Sequence, residues 1–368
     1  MDAGELDAPR AGRRVSTLPG PPLALRGALG SHILDVARAA YVRLPERSTY
    51  PRDLAFAEYR REVRRIMRRP TVSFEVEETR PLASGRESHI VEIALRGKAG
   101  VRPGDMLYVW WRNDPGRLER MLGGVDRSAE LGYWTTPVPH RPARRSRGPI
   151  HRLASDVFDL SDRDPAAGPL APRDLLALPR ITPRLYTVSG VSDSATEGGG
   201  SQLRIQVTMR DGWPDRAAAF LHRLQPGDAV QAWVMPHPHR VQRTGPVTAV
   251  VTGSGAAGVF AALRSGVGGI DLVWGLGDKR LEPWVAEEIE GYLRLGALRS
   301  FELVESPERV QEALERGGTR QDRLVDGSWL YVSGNASAGE AVDATARRIL
   351  GDDELRTAAE SLRYINSS

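Results

Sequence analysis

The order of apolar and polar positions divides the chain into three regions. In the first region, apolar side chains recur at helical spacing over residues 31–45 and 51–69, which predicts two helices. From residue 71 the period falls to two, and segments 72–78 and 89–95 alternate as half-buried strands do. Beyond residue 245 the strands become continuously apolar. The pattern therefore predicts helices, then strands, then a region in which strands and helices alternate.

The middle region combines short strands with a long irregular connection. We predict a turn at Arg80–Arg86, and a helix opened by Asn113-Asp114-Pro115 after an apolar run. Residues 134–172 are rich in proline, arginine and glycine, which predicts an irregular connection around one short helix. The other predicted elements here are the apolar run 106–111, helix 172–178 and strands 184–189, 203–209 and 229–235.

The C-terminal region alternates apolar strands with helices. The predicted elements are strands 247–252, 270–275, 299–304 and 329–333 and helices 256–265, 282–295, 307–316 and 338–350. Strands that are apolar throughout and separated by helices are typical of a parallel sheet covered on both faces.

Composition limits the chemistry. Cysteine is absent from the 368 residues, which excludes disulfides, thiolate catalysis and iron–sulfur clusters, so redox chemistry would need an organic cofactor. The only lysines are Lys98 and Lys279, and the remaining basic charge is arginine. Arginine suits phosphates and carboxylates, although GC-rich coding gives the same bias.

Two features bear on location and partners. No apolar run is long enough to cross a bilayer, and the N-terminus lacks the order of a signal peptide. We therefore expect a cytoplasmic protein that binds neither membrane nor nucleic acid. Six arginines between Arg60 and Arg69 form either a solvated helix face or a docking surface for an acidic electron-transfer protein.

Several motifs occur in the order found in one family of reductases. They are Val101-Arg102-Pro103-Gly104-Asp105 with Asn113-Asp114-Pro115, Thr182-Pro183-Arg184-Leu185-Tyr186-Thr187, Gly253-Ser254-Gly255-Ala256-Ala257, the segment from Asp326 to Asn335, and the closing Arg363-Tyr364. Together they resemble the ferredoxin–NADP reductase and diflavin reductase superfamily, and most of all the FAD–NADPH module of sulfite reductase flavoprotein. The resemblance covers roughly residues 71–364 and rests on shared order more than on any single motif.

The resemblance implies an α+β chain of two domains. Residues 1–30 are expected to be a disordered arm, and 31–70 a helical segment. Residues 71–243 would form an antiparallel β-barrel that binds FAD, with a connecting insertion reduced to 116–180. Residues 244–368 would form a Rossmann-like α/β domain that binds NAD(P)H. We expect no FMN domain.

The resemblance also assigns the FAD site. It implies that Arg184 pairs with the diphosphate, that Tyr186 stacks on the isoalloxazine ring, and that Thr187 lies near flavin N5. Strand alternation puts Arg184 and Tyr186 on one face. The whole set of residues expected to contact FAD is Arg184, Leu185, Tyr186, Thr187, Val188, Ser189, Arg216, Ala217, Ala218 and Ala219. The last four replace the family's hydroxyl-bearing phosphate turn.

The nicotinamide side departs further from the family pattern. The residues expected to contact NADPH or NADH are Gly253, Ser254, Gly255, Ala256, Ser306, Arg309, Ser333, Gly334 and Asn335. The resemblance makes Thr187 and Ser333 the catalytic pair, with Ser333 in place of the family's cysteine. Ala256 and Ala257 replace a threonine and a glycine, and the added methyl groups obstruct close approach of a ligand. The family's cluster for the 2′-phosphate is reduced to Arg309, and its C-terminal aromatic residue is missing.

Two functional hypotheses follow. The first is a stand-alone FAD-dependent oxidoreductase that takes hydride from NAD(P)H and passes electrons to a small molecule or to a flavodoxin, ferredoxin or oxygenase. The second is a scaffold that no longer uses NADPH and acts as a flavin-dependent enzyme, a non-redox biosynthetic enzyme or a binding module. His237 and His239 share a strand face, which suits a flavin contact or a metal pair, but we expect no metal site. Five tryptophans lie in or beside apolar elements, and we expect them to belong to the core and not to a ligand site: Trp110, Trp111, Trp274, Trp284 and Trp329.

Overall fold

The computed structural model describes residues 66, 71–86, 88–126, 128–134, 145–160, 169–193, 200–210, 216–237, 245–316, 318–360 and 364–366. The predicted N-terminal arm and nearly all of the predicted helical segment lie outside these residues. Ile66 is described as helical and packs into the first hydrophobic cluster of the barrel domain.

The first domain is a closed antiparallel barrel. Its strands are β1 (Val72–Ser84), β2 (Ser88–Gly97), β3 (Met106–Trp110), β6 (Arg184–Asp193), β7 (Ser201–Arg210) and β8 (Ala229–Met235). They pair in the order β1-β2-β7-β6-β3-β8, and β8 returns to β1. Alternate side chains fill the barrel, because neighbouring residues of a strand point to opposite faces. Phe74, Ile93 and Leu107 are fully buried inside it.

Helices and a hairpin cover the outer face of β3 and β8. They are α1 (Pro115–Met121), β4 (Glu130–Trp134), β5 (Arg145–Pro149), α2 (Ile150–Asp156) and α3 (Pro172–Ala177). Asp114 caps α1 by accepting a hydrogen bond from the Arg117 N–H at 2.7 Å, and Pro115 occupies the first turn. A fourth helix, α4 (Arg216–Arg223), sends Ala218 and Leu221 into the barrel core.

The second domain is a five-stranded parallel sheet with helices around it. Its strands are β9 (Val247–Thr252), β10 (Ile270–Gly277), β12 (Leu298–Glu305), β13 (Trp329–Ser333) and β14 (Tyr364–Asn366). Its helices are α5 (Ala257–Arg264), α6 (Pro283–Arg294), α7 (Val310–Arg316), α8 (Gly318–Val325), α9 (Ala336–Leu350) and α10 (Asp352–Glu360). The strand order is β12-β10-β9-β13-β14. The predicted fold class, an antiparallel barrel followed by an α/β domain, is confirmed.

One hydrophobic core runs between the two domains. Leu82 and Ile90 of the barrel pack in the same cluster as Val251 and Phe260 of the α/β domain. A short strand, β11 (Arg280–Leu281), leaves the α/β domain and pairs with Ala83 and Ser84 of β1. The two domains are therefore joined along a broad surface and not only by their linking segment.

Two local predictions were wrong. The turn expected at Arg80–Arg86 is strand as far as Ser84, because a β-bulge beside Pro81 lets the strand continue and β11 pairs with its end. The connection 134–172, expected to be irregular, contains the strand β5, which pairs with β4 just before it. The composition of Arg145–Pro149 gives no alternating pattern, so its pairing with Glu130–Trp134 could not be predicted from apolar spacing.

No helix within the described ranges combines the length and the apolar character needed to cross a membrane.

Candidate functional site

The strand β6 carries the residues expected to contact FAD. Arg184 and Tyr186 lie opposite Val109 and Leu107 of β3, and directly opposed residues share a face. Arg184 is exposed at the barrel rim, whereas Tyr186 is half-buried and packs against both the barrel core and the outer cluster. Strand alternation does place the two residues on one face, which is the barrel-core face.

The outer face of β6 belongs to Leu185 and Thr187. Thr187 lies opposite Met106, which packs in the cluster outside the barrel. A ligand lying on this outer face meets Thr187 directly. The pairing register thus divides the expected FAD contacts between the barrel-core face, which Arg184 and Tyr186 share, and the outer face, which carries Leu185 and Thr187.

The helix α4 carries the predicted contacts to the FAD phosphates. It covers the barrel end where β6 begins, because His222 of α4 packs against His89 with ring centroids 4.8 Å apart. Arg216, its first residue, forms an ion pair with Asp159, a buried residue that follows α2. The anion at the start of α4 is therefore a carboxylate of the protein.

Five of the expected contact residues are buried in the core. Their side chains expose 2% or less of their surface and pack inside one domain or the other: Val188, Ser189, Ala217, Ala218 and Ala256. Ala256 packs beside Phe260 in the cluster that joins the domains. Val188 and the three alanines have no polar side-chain group, and the Ser189 hydroxyl donates to the Arg204 carbonyl at 3.2 Å, so polar contacts from these residues to a ligand would come from their backbone groups.

The carboxyl ends of β9 and β13 form the crevice expected for a nucleotide. The strand order reverses between these two strands, and open α/β sheets bind ligands at such a switch point. Gly253–Ala256 forms a 3₁₀ turn after β9. A Cβ atom on Gly255 would lie 2.6 Å from the Ser333 carbonyl oxygen, so the two loops meet backbone to backbone.

A second contact ties the same loops together. The Asn335 N–H donates a hydrogen bond to Thr252 Oγ1 at 3.1 Å. Asn335 also caps α9, since its side-chain oxygen accepts from the Ala338 N–H at 2.8 Å. Gly334 lies between them at φ +139°, in contact with Thr252. The structure therefore brings the predicted residues Gly253, Ser254, Gly255, Ser333, Gly334 and Asn335 together.

The crevice opens against the barrel. Thr208 of β7 and Ser254 of the 3₁₀ turn share a hydrogen bond between their hydroxyl oxygens at 2.9 Å. The Ser254 N–H also donates to Thr208 Oγ1 at 3.2 Å. The outer face of the barrel and the nucleotide loop are in direct polar contact at this position, which we call the domain junction.

No protein-family model matches the chain, and no curated protein matches it significantly. The structure is similar to a mutant of ferredoxin–NADP+ reductase from Plasmodium falciparum crystallised with 2′P-AMP. The sequence identity is 11% and the TM-score is 0.48, and the match covers 80% of this chain and 95% of that chain. The fold class stated above rests on the strand order itself.

Ser306 and Arg309 lie at the same edge of the sheet but farther from the junction. They follow β12, which is separated from β9 by β10. Both residues are exposed. The Ser306 N–H donates to the Gly277 carbonyl at 2.8 Å, which fixes the loop after β12 against the end of β10.

A buried carboxylate fixes the barrel against the α/β domain beside the junction. Glu92 of β2 is 2% exposed and accepts hydrogen bonds from Arg80 at 2.8 Å, Arg204 at 3.2 Å and Arg264 at 2.8 Å. Arg264 comes from the end of α5 and also pairs with Glu288 at 2.9 Å. Burial raises the pKa of Glu92, and the neighbouring guanidinium groups lower it by more, so the net pKa lies below its usual value.

Sequence reasoning missed Gln206 on β7. Gln206 lies opposite Glu92, on the same face as Thr208, and is 2% exposed. Among the residues that the structure describes, neither Nε2 nor Oε1 of Gln206 has a hydrogen-bond partner. In sequence it is a polar residue alternating with Ile205 and Val207, which predicts a solvent-facing side chain. Its burial comes from the α/β domain and leaves no local signal.

The residues at the junction fit a flavin ring, and those at the barrel rim fit its diphosphate only in part. An orphaned buried amide is a group that a polar ring edge can satisfy, and Thr187 lies beside it. Arg184 is exposed and can pair with a phosphate. Arg216 forms an ion pair with Asp159. A diphosphate at α4 therefore has to compete with a carboxylate of the chain itself.

The possible metal pair, His237 and His239, follows β8 in the sequence. His237 is half-buried just after β8, and His239 lies outside the described residues. The described part of the chain holds no group of three or more histidine, aspartate or glutamate side chains placed to bind a metal ion.

Proposed function

We propose that this chain is a stand-alone FAD-dependent oxidoreductase of the ferredoxin-reductase type. It would accept hydride from NADPH or NADH and deliver electrons to a separate redox protein or a small molecule. The observation that carries the proposal is the junction of the switch-point loop with the barrel's outer face, through Thr208 and Ser254. A nucleotide in that crevice would be held against β7, the barrel strand that pairs with the Thr187 strand, β6.

The chain's own residues would bind and orient the reactants. When bound, FAD supplies the capacity to take up a hydride and release electrons one at a time. Arg184 would pair with the diphosphate at the barrel rim. Thr187 and Ser333 would provide hydroxyl groups on the barrel side and on the α/β side, where they would orient the reacting rings. The backbone N–H groups of the 3₁₀ turn and of the start of α9 suit the nucleotide phosphates.

A second candidate function is a scaffold that has lost pyridine nucleotide use. The Asp159–Arg216 ion pair favours a scaffold whose ligand is not FAD, because this pair places a carboxylate where the resemblance implies an FAD phosphate. The direct backbone contact between Gly255 and Ser333 favours the loss of pyridine nucleotide use. In that case the chain would bind flavin or another substrate without reacting with NADPH or NADH.

Flavin content distinguishes the two proposed functions from a chain that has this fold but binds no flavin. Purified full-length protein is incubated with FAD, dialysed, and scanned for visible flavin absorbance. Retention of about one FAD per chain supports both functions described above. If the protein retains no flavin after incubation with a large excess, FAD binding is wrong for this chain.

Arg184→Ala is expected to weaken FAD binding about 10-fold or more, because a charge-assisted contact to a phosphate is lost. Equilibrium dialysis with FAD measures the change. Arg173→Ala is the matched control, since its side chain on α3 is 91% exposed and pairs only loosely with Asp174. Equal affinity of Arg184→Ala and the wild type would show that Arg184 does not contact the diphosphate.

A further inference from the structure

The outer face of β7 contains a polar group that nothing in the described structure satisfies. Gln206 is nine-tenths buried or more, and both atoms of its carboxamide lack hydrogen-bond partners among the described residues. Leaving a buried polar group unpaired costs about 1 to 3 kcal/mol. A glutamine carries a donor and an acceptor side by side, so the position has two unmet requirements.

The direction of this side chain follows from its neighbours. Ile205 and Val188 are paired across β7 and β6, and both lie in the barrel core. Gln206 follows Ile205 on β7, and Thr187 precedes Val188 on β6. Because neighbouring residues of a strand point to opposite faces, Gln206 and Thr187 face outwards together. On one side of Gln206, Thr208 forms a hydrogen bond with Ser254 of the α/β domain. On the other side, Arg204 pairs with Glu92, the carboxylate that Arg264 of the α/β domain also contacts.

We propose that Gln206 binds the edge of a ring ligand that presents an N–H donor beside a carbonyl acceptor. The Gln206 Nε2–H group donates to the carbonyl of the ligand, and Gln206 Oε1 accepts from its N–H group. The pyrimidine ring of a flavin and the carboxamide of a nicotinamide both carry such an edge. This inference rests on the proposed function and adds a specificity-determining residue to it.

The alternative role for a buried glutamine is structural. A second barrel glutamine, Gln231 of β8, shows what that role looks like. It is 5% exposed, and its Oε1 accepts a hydrogen bond from Thr71 Oγ1 at 3.0 Å, so that only its Nε2 lacks a partner among the described residues. Gln206 has no such bond in the described part of the chain, so it contributes a cost to the fold and not a contact.

The two roles predict opposite effects of leucine. Gln206→Leu removes two unsatisfied polar atoms at nearly constant volume, so the ligand-free protein should keep or raise its Tm. The same variant should bind the ligand about 10-fold more weakly or worse. Gln231→Leu, the matched control, should lower Tm because it breaks the bond to Thr71, and should leave ligand affinity unchanged.

The experiment is a titration of full-length wild type, Gln206→Leu, Gln206→Glu and Gln231→Leu. FAD is first titrated into each protein. NADP+ or NAD+ is then titrated into the flavin-loaded protein. Weaker FAD binding in both Gln206 variants assigns the contact to the flavin, and weaker nicotinamide nucleotide binding alone assigns it to the carboxamide. Unchanged affinity for both ligands overturns the inference, whether or not the Tm of ligand-free Gln206→Leu falls. The proposed function stands in that case. Failure of the wild type to bind FAD overturns both.

Discussion

Glu92→Gln is expected to lower the free energy of unfolding by about 2 to 4 kcal/mol. The substitution keeps the shape of the side chain but removes the negative charge that Arg80, Arg204 and Arg264 share, and breaking a buried ion pair from one side leaves cations uncompensated. The guanidinium groups are partly exposed, so water reduces the loss. Urea unfolding of wild type and variant measures the difference.

The loss should depend on pH. Because the pKa of Glu92 is lowered in the folded state, its contribution is fully present above the ordinary glutamate pKa of about 4.3. It disappears as pH falls through the folded-state pKa, so the difference between wild type and Glu92→Gln should shrink in acid. Glu75→Gln, which removes an exposed carboxylate 3.4 Å from Arg96, should cost less than about 0.5 kcal/mol. Equal losses in the two variants would mean that Glu92 does not fix the domains.

Gly255→Ala is expected to abolish most nicotinamide nucleotide binding. Its Cβ would lie 2.6 Å from the Ser333 carbonyl oxygen and 2.8 Å from the Gly334 nitrogen, so the two loops at the switch point have to separate. Forcing such a rearrangement costs about 1 to 3 kcal/mol. We expect at least about 10-fold weaker binding of NADP+ to the flavin-loaded protein, measured by difference absorbance.

Gly291→Ala gives the matched control for the extra methyl group. Gly291 lies inside α6, and its added Cβ would meet only the end of the Arg294 side chain at 3.9 Å. Alanine should stabilise this helix by about 0.5 to 1 kcal/mol. If Gly255→Ala binds nucleotide as Gly291→Ala does, the crevice between β9 and β13 is not the nucleotide site.

The main elements of the fold could be predicted from the sequence. Each of the four strands predicted from Val247 onward is a strand of the parallel sheet, and the largely apolar runs 247–252 and 329–333 are typical of strands that are covered on both faces. Asp114 and Pro115 located the start of α1, because capping leaves a local signature. By contrast, β11 is two residues long and forms only because β1 offers an edge, so no local pattern indicates it.

The site was predicted less completely, for a physical reason. The motif resemblance located both loops of the switch point. The backbones of these two loops lie so close together that glycine is required at Gly255 and Gly334. The resemblance also nominated Val188, Ser189 and Ala256, which are core residues. A motif marks a stretch of chain, but burial decides which side chains face a ligand.

The residues that join the domains were not predicted at all. Glu92 and Gln206 stand opposite each other on neighbouring strands, 114 positions apart in number. Each looks like the solvent-facing member of an alternating strand. Only the docking of the α/β domain buries them, and that contact is tertiary.

Anaerobic rapid mixing tests directly whether flavin and nicotinamide meet at the domain junction. Full-length protein loaded with FAD is mixed with NADPH and, separately, with NADH while visible absorbance is followed. We expect at least one nucleotide to bleach the flavin band in a phase that saturates with nucleotide concentration. A flavin-loaded protein that keeps its absorbance with both nucleotides would contradict this expectation.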